Sequence, residues 1–228
     1  MFESLSSQQA PEPNECDGTV VGADYAGRPG GGITVTADLT WRPGAGGPRG
    51  RSGLQLYALT AGDNHPAPPK KKIGWRRASA GPSVVHRKNR GDLTSAPFVE
   101  FLNDSERAGF ARLRITMLNR QRFVALLAHQ KRGAHAFSEL GATVTIADDV
   151  TKSLETRVEI PLRQDGGNRF WMVAAVLDFR APRGYTIRTA DRCFLPQEKA
   201  RPVLYTDGTI MYPDGRILMG SWPREYER

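Results

Sequence analysis

Short apolar segments, each ended by turn residues, recur along almost the whole chain. Within them apolar and polar residues alternate, as in Ile33, Val35 and Ala37, so that every second side chain falls on one face of a strand. Patterns with the period of a helix are nearly absent. Such a chain buries its apolar faces by stacking one sheet on another. The sequence therefore predicts an all-β fold, a two-sheet β-sandwich of about eight to ten strands with a C-terminal β-meander. The predicted strands lie in ITVTADLTW, LQLYALT, PSVVH, APFVEF, ARLRITM, FVALLAHQ, ATVTIA, TRVEIPL, RFWMVAAVLDF and RGYTIRTA.

Two of these segments, FVALLAHQ and WMVAAVLDF, are almost continuously apolar. A strand without alternation is typical of a position that is covered on both faces. We therefore predict that these two strands are central and hold the core. Helix is expected only as a turn or two over Ala134–Leu140, before Gly141, and in the short segment Pro196–Arg201.

The composition of the chain predicts one main domain between two tails. Residues 1–30 are polar and end next to a glycine run, which indicates a flexible lead-in. Residues 31–195 form the predicted sandwich, and residues 63–90 form a basic insertion within it. In the last segment, 196–228, two Asp-Gly pairs interrupt apolar runs, and this pattern predicts a β-hairpin extension.

No apolar run in this chain of 228 residues approaches the ~20 residues that a membrane span requires. The first residues show neither the basic nor the apolar region of a secretion signal, so a cytoplasmic protein is expected. The two cysteines, Cys16 and Cys193, are far apart. They predict neither a disulfide framework nor a zinc site.

A polar cluster follows the predicted strand APFVEF and ends at Gly109. Hard cations require several oxygen ligands within a short stretch of backbone, and these side chains supply them. The same residue types also make ordinary turns, so both interpretations stay open. The candidate metal ligands are Asn103, Asp104, Ser105 and Glu106.

The formal charge of +8 is concentrated in the basic insertion, where no acidic residue lies between His65 and Gly91. Such a run attracts polyanions, and Trp75 and His86 add rings for stacking, so nucleic acid and an anionic membrane surface are candidate ligands. The alternative is a solvated basic loop, since no helix or groove-reading motif presents the charges. The candidate binding residues are Lys70, Lys71, Lys72, Trp75, Arg76, Arg77, Arg87, Lys88 and Arg90.

The sequence shows no recognised catalytic motif, because its histidines lack metal-ligand spacing and no GxSxG element is present. His129 and His135 flank a turn, and their convergence with Glu139 is one acid/base candidate, but strand-end histidines are more often structural. A carboxylate pair between Asp148-Asp149 and the polar cluster is the other acid/base candidate. We interpret all of these as structural and predict that the protein is not an enzyme. The four histidines are His65, His86, His129 and His135.

From Gly91 to about Phe194 the chain resembles the TerD-like domains of the tellurium-resistance and chemical-stress family, and it is most similar to the TerA branch. The resemblance rests on the order and spacing of several segments. These are APFVEFLNDSERAG, ARLRITM, FVALLAHQKRGAHAFSELGATVTIAD, VEIPL and FWMVAAVLDFRAPRGYTIRTADRCF. Upstream, ITVTADLTW and SGLQLYALT stand where the family has its opening strand and its DLDL-type strand. About 160 residues are covered, from Ile33 to Phe194.

The resemblance implies a β-sandwich that holds calcium between clustered aspartates at one end. It also implies a role in bacterial resistance to tellurite and other stress, with no established reaction. The DLDL aspartates are here Gly53 and Gln55, and the polar cluster keeps only two carboxylates, with Arg112 nearby. Calcium affinity depends on ligand charge, so we predict a vestigial calcium site and no other cofactor.

These expectations combine into one functional prediction. The chain is expected to be a non-catalytic binding or scaffold protein of a bacterial stress response, with other TerD-family proteins or an acidic protein as partner. The basic insertion is expected to take over the electrostatic role of calcium at the end of the sandwich. The alternative is a basic β-sandwich module that binds nucleic acid or another polyanion through residues 70–90.

Overall fold

The computed structural model describes residues 19–21, 34–43, 53–62, 84–105, 107–116, 121–130, 136–148, 157–163, 171–180, 185–193, 201–211 and 217–219. All regular elements in these ranges are strands. None of the described residues forms a helix that is long and apolar enough to cross a membrane. The strands are β1 (Thr19–Val21), β2 (Val35–Thr40), β3 (Leu54–Ala61), β4 (Val84–Val85), β5 (Gly91–Asp92), β6 (Val99–Ser105), β7 (Phe110–Ile115), β8 (Phe123–Gln130), β9 (Thr143–Asp148), β10 (Val158–Pro161), β11 (Trp171–Asp178), β12 (Tyr185–Cys193), β13 (Val203–Leu204), β14 (Ile210–Met211) and β15 (Ile217–Met219).

Twelve of these strands form two six-stranded antiparallel sheets. Sheet I has the order β1-β12-β11-β8-β3-β4, and sheet II has the order β10-β9-β2-β7-β6-β5. The prediction of an all-β, two-sheet sandwich is confirmed, and each of the ten predicted segments contains a strand. The two additional strands, β1 and β5, are only three and two residues long, too short for an alternating pattern to reveal.

The prediction of a flexible lead-in over residues 1–30 is wrong at one place. Strand β1 pairs with β12 in antiparallel register, with Val20 opposite Thr186, and forms an edge of sheet I. Regular structure therefore begins before residue 31, the predicted start of the sandwich. The backbone of β12 offers an open edge, and TVV is a β-branched segment that suits this position.

The main core lies between the two sheets. Alternate residues of β2, among them Val35 and Leu39, face alternate residues of β3, such as Leu56, and all are fully buried. The alternation predicted for the segment ending in Trp41 is therefore confirmed over the described residues. Burial of these apolar side chains is the main favourable term in forming the sandwich.

A second apolar layer covers the outer face of sheet I. Every residue of β11 is buried, as are all residues of β8 except His129. Both strands lie in the interior of sheet I, so the prediction that they are central and covered on both faces is confirmed. Leu204 and Ile210 of a third, three-stranded sheet, β13-β14-β15, pack against this outer face.

The predicted Asp-Gly turn at Asp207-Gly208 connects β13 to β14. Gly208 has a φ of 81°, a conformation that side chains with a Cβ rarely adopt. The Thr209 amide donates a hydrogen bond to Asp207 Oδ1 at 2.9 Å. The extension is therefore a small sheet on the face of sheet I. The second turn, Asp214-Gly215, lies outside the described residues.

Of the predicted helix over Ala134–Leu140, the structure describes the residues from Ala136 onward, and these form a single turn. Glu139 Oε2 accepts a hydrogen bond from the Ala136 amide at 3.2 Å, as in a capping box. The Leu140 amide donates to the Ala136 carbonyl, and the turn closes at Gly141. Of the other predicted helix, Pro196–Arg201, only Arg201 is described, and it precedes β13 without helical structure.

Candidate binding site

The most basic part of the described chain is the turn formed by residues 86–90, which we call the basic turn. It connects β4, at the edge of sheet I, to β5, at the edge of sheet II. Arg87 forms an ion pair with Asp104 of β6 at 3.3 Å. Arg90 Nε donates to the Phe101 carbonyl at 3.0 Å, and its Nη2 donates to the Leu102 carbonyl. The guanidinium groups of Arg87 and Arg90 thus bind the basic turn to sheet II.

The same turn also contacts sheet I, through an aromatic cluster made of Tyr57, His86, His129 and Trp171. The His86 ring stacks on the Tyr57 ring, with centroids 4.7 Å apart and an interplanar angle of 17°. Trp171 lies 4.8 Å from Tyr57 and 4.2 Å from His129 between ring centroids. Trp171 and His129 are opposite each other in the β11–β8 register, which places both rings at one end of sheet I.

Burial controls the electrostatics of this cluster. It lowers the pKa of His129 to about 4, and His86 adds a smaller effect in the same direction. Burial, Arg201 and Lys88 also lower the pKa of His86. His129 is therefore neutral at pH 7. Tyr57 Oη donates to Gln55 Oε1 at 3.0 Å, so Gln55 supports the cluster. Among the described residues, His129 Nδ1 and Trp171 Nε1 are buried and lack a hydrogen-bond partner.

The lowered pKa of His129 predicts a loss of stability in acid. Between pH 6.5 and about 4 the unfolded state binds a proton that folded His129 resists, so the free energy of unfolding falls as the pH decreases through this window. We expect a loss on the order of 2 kcal/mol from this residue. Urea unfolding at several pH values, for the natural protein and His129→Phe, measures it. A variant with the same pH slope as the natural protein would contradict the assignment.

The three predicted metal ligands that the structure describes, Asn103, Asp104 and Ser105, do not converge. Asn103 and Ser105 lie within β6 and point to the side opposite Asp104, because side chains alternate along a strand. The Asp104 carboxylate is paired with Arg87, and Ser105 Oγ accepts from the Ala108 amide at 3.2 Å. Glu106 lies outside the described residues. The predicted polar loop is therefore, up to residue 105, a continuation of the strand.

Gly109, where the predicted polar cluster ends, closes the β6–β7 hairpin. Its φ is 66°, and a Cβ at this position would lie 2.0 Å from the Trp41 carbonyl oxygen. The Trp41 amide also donates to the Gly109 carbonyl at 2.9 Å. Glycine is required here because the hairpin lies directly against the end of β2.

Arg112 engages the neighbouring carboxylate, Asp38. Its Nε and Nη2 each donate to one Asp38 oxygen at 2.7 Å, a bidentate geometry. Among the described residues, no three histidine, cysteine, aspartate or glutamate side chains come together as metal ligands. The described side chains around Asp104 and Asp38 therefore do not fit calcium, since an arginine pairs with each of these carboxylates.

The Arg87–Asp104 ion pair is expected to be weak. Arg87 is 54% exposed and Asp104 is 20% exposed, and water screens such pairs. A double-mutant cycle with Arg87→Ala and Asp104→Ala should give a coupling of about 0.2–1 kcal/mol by urea unfolding, decreasing in high salt. A coupling of zero at low salt would contradict a stabilising role for the pair.

The polyanion candidates divide into two groups. Of those described, Arg87 and Arg90 bind groups of β6 within the protein, and His86 uses a ring face on Tyr57. Lys88 is exposed. Two of the side chains predicted to bind a polyanion, Arg87 and Arg90, thus connect the basic turn to sheet II instead. Six candidates lie outside the described residues: Lys70, Lys71, Lys72, Trp75, Arg76 and Arg77.

The acid/base candidates of the sequence do not assemble in the described part of the chain. Asp148 pairs with Val35 at the start of β2, whereas Asp104 is linked through β7 to Leu39, about 13 Å further along β2. Asp148 is nearly buried beside Tyr185, whose pKa is raised by burial and by this carboxylate. His129 joins the aromatic cluster, while Glu139 caps a turn. His65, His135 and Asp149 lie outside the described residues.

Sequence reasoning missed Tyr57 and Trp171 as members of a site. Each residue was read only as part of its own strand, but the pairing of β3 with β8 and of β8 with β11 brings them together. Comparison with known protein families, curated proteins and solved structures gives no match to this chain. The site is therefore interpreted from its own geometry.

Proposed function

We propose that this protein is a non-catalytic, TerD-like binding module of a bacterial stress response, acting in the cytoplasm on an acidic protein partner. The observation that carries the proposal is the Arg87–Asp104 ion pair. It brings a cationic turn to the place where the resemblance expects calcium beside β6. A guanidinium group there supplies positive charge without a metal, in agreement with the proposed role of the basic insertion.

Exposed cations remain on the basic turn after these internal contacts are made. Lys88 is exposed, and Arg87 keeps about half of its side chain in solvent. Positive charge on a rigid edge favours an acidic partner because complementary potentials speed association and exclude basic proteins. In the aromatic cluster His86 already stacks within the protein, which makes it less suited to stacking on a nucleic-acid base.

Affinity capture from a tellurite-treated bacterial culture tests this proposal. The natural protein should retain acidic proteins of the stress system, and Arg87→Glu combined with Lys88→Glu should retain at least ten-fold less. The matched control is Arg157→Glu, which reverses an exposed arginine beside β10 in sheet II. Equal retention by all three proteins would refute a role for the basic turn.

Recovery of nucleic acid in the capture experiment would favour the alternative function, polyanion binding. Capture of nuclease-sensitive material, with binding that falls steeply as salt increases, would indicate a polyanion-binding module. Charge reversal at Lys70, Lys71 and Lys72 should then abolish binding. Retention that survives both nuclease and this charge reversal would exclude it.

A further inference from the structure

The outer face of sheet II carries a groove of about 310 Å³ that the proposed function does not use. Its floor is lined by threonines from two neighbouring strands, with Thr40 of β2 opposite Thr143 of β9, and the Thr40 hydroxyl donates to the Thr143 carbonyl at 3.5 Å. Thr145 lies next to them, opposite Asp38. The groove is therefore polar at its base, on a rigid pair of hydrogen-bonded strands.

Two ion pairs border this floor. Asp38 binds Arg112 in bidentate fashion at 2.7 Å, and Glu159 binds Arg157 at 2.8 Å. Each carboxylate at the groove thus has its own guanidinium, and the formal charges cancel. Because these charges cancel, the groove offers no net charge to attract a simple anion or cation.

The groove nevertheless offers many hydrogen-bonding atoms to a neutral ligand. A carboxylate has about four lone-pair sites, and the Asp38 bonds to Arg112 use two of them. Threonine hydroxyls both donate and accept. A ligand whose own groups both donate and accept hydrogen bonds, at closely spaced positions, matches this lining.

Apolar carbon also lines the groove, in the side chain of Ala147 and in the methyl groups of the threonines, and a half-buried ring lies on the neighbouring strand. Phe110 is opposite Thr40 in the β2–β7 register, and its side chain is half-buried on the same outer face as Arg112. The Arg112 guanidinium lies 5.2 Å from the centre of this ring. Apolar carbon next to a row of hydroxyl and charged groups is complementary to a sugar, which has C–H faces and hydroxyl edges.

We propose that this groove binds a neutral carbohydrate of one or two rings. Its volume is at the lower end of the range for ligand pockets, which limits the ligand to this size. The groove is shallow and leaves much of a bound sugar in water, so the dissociation constant should be in the millimolar range. The basic turn is at the edges of the sheets, and the two sites are chemically independent.

NMR titration of the full-length, ¹⁵N-labelled protein with maltose and with cellobiose tests the proposal. At least one of these sugars should shift amide signals of β2 and β9 in a saturable way, while sodium sulfate should not. Thr145→Val keeps the side-chain shape and removes one hydroxyl, so it should weaken binding roughly five-fold. The matched control is Thr189→Val, at an exposed position of β12 in sheet I, which should bind as the natural protein does.

Several results would overturn the carbohydrate site. They are an absence of saturable shifts at β2 and β9 with both sugars, equal shifts with sulfate, or unchanged affinity in Thr145→Val. The variant with Arg87→Glu and Lys88→Glu should bind sugar normally. Failure of the sugar titration therefore leaves the capture experiment unaffected, and the two proposals fail separately.

Discussion

Replacing Asp178 with alanine is expected to destabilise the protein by about 3–5 kcal/mol, the largest effect of any single charge removal that we predict. Asp178 is 1% exposed at the end of β11, and Arg180 is 13% exposed. Asp178 Oδ1 accepts from the Arg180 amide at 2.9 Å, and Oδ2 accepts from Arg180 Nη2, also at 2.9 Å. The same guanidinium lies 4.6 Å from the centre of the Phe123 ring. Without the Asp178 carboxylate, the Arg180 guanidinium loses its hydrogen bonds at a position that is poorly accessible to water.

Urea unfolding with equal m-values measures this loss. Glu159→Ala is the matched control, because the Arg157–Glu159 pair has the same chemistry with both side chains at least half exposed, and it should cost less than about 1 kcal/mol. Asp178→Leu with Arg180→Met should recover most of the stability, since apolar replacements of a buried pair are tolerated. A loss below that of the control would show that water reaches Asp178.

Replacing Ile210 with alanine is expected to cost about 3 kcal/mol. Ile210 is fully buried in β14 and packs in the apolar layer on the outer face of sheet I. The truncation removes apolar contacts and leaves a cavity between the C-terminal sheet and sheet I. A loss of this size would show that packing of the C-terminal sheet on sheet I contributes to the stability of the sandwich.

Val203→Ala is the control for this second prediction. Val203 belongs to the same small sheet but is only partly buried, so its truncation should cost well under half as much. Thermal and urea unfolding of both variants provide the comparison. Equal and small effects would mean that the C-terminal sheet does not pack on β8 and β11 in solution.

The strands were predictable because their signals are local. Alternation over the β2 segment, the continuous apolar runs of β8 and β11, and the Asp207-Gly208 turn each reflect a property of a few consecutive residues. Strand β1 was missed for the same reason, since three residues carry too little pattern. Its position is decided by the free edge of β12 rather than by its own sequence.

The candidate site was less predictable because its members are distant in sequence. Asn103, Asp104 and Ser105 were predicted as a loop, but pairing with β7 extends β6 through Ser105. A register shift between Phe101 and Asn103 then decides which side each polar residue takes. Nothing in the segment itself indicates that arginines from the basic turn occupy its carboxylate and carbonyl groups.

The sequence by itself determined the class of fold, the order of most strands and the turns that end them, since backbone preference and side-chain periodicity act over a few residues. Tertiary structure decided the rest. It placed the C-terminal sheet on sheet I, joined His86 to Tyr57 and Arg87 to Asp104, and formed the groove on sheet II. Those contacts depend on cross-strand register and on the edges that meet in space, and both are set by burial of the whole core.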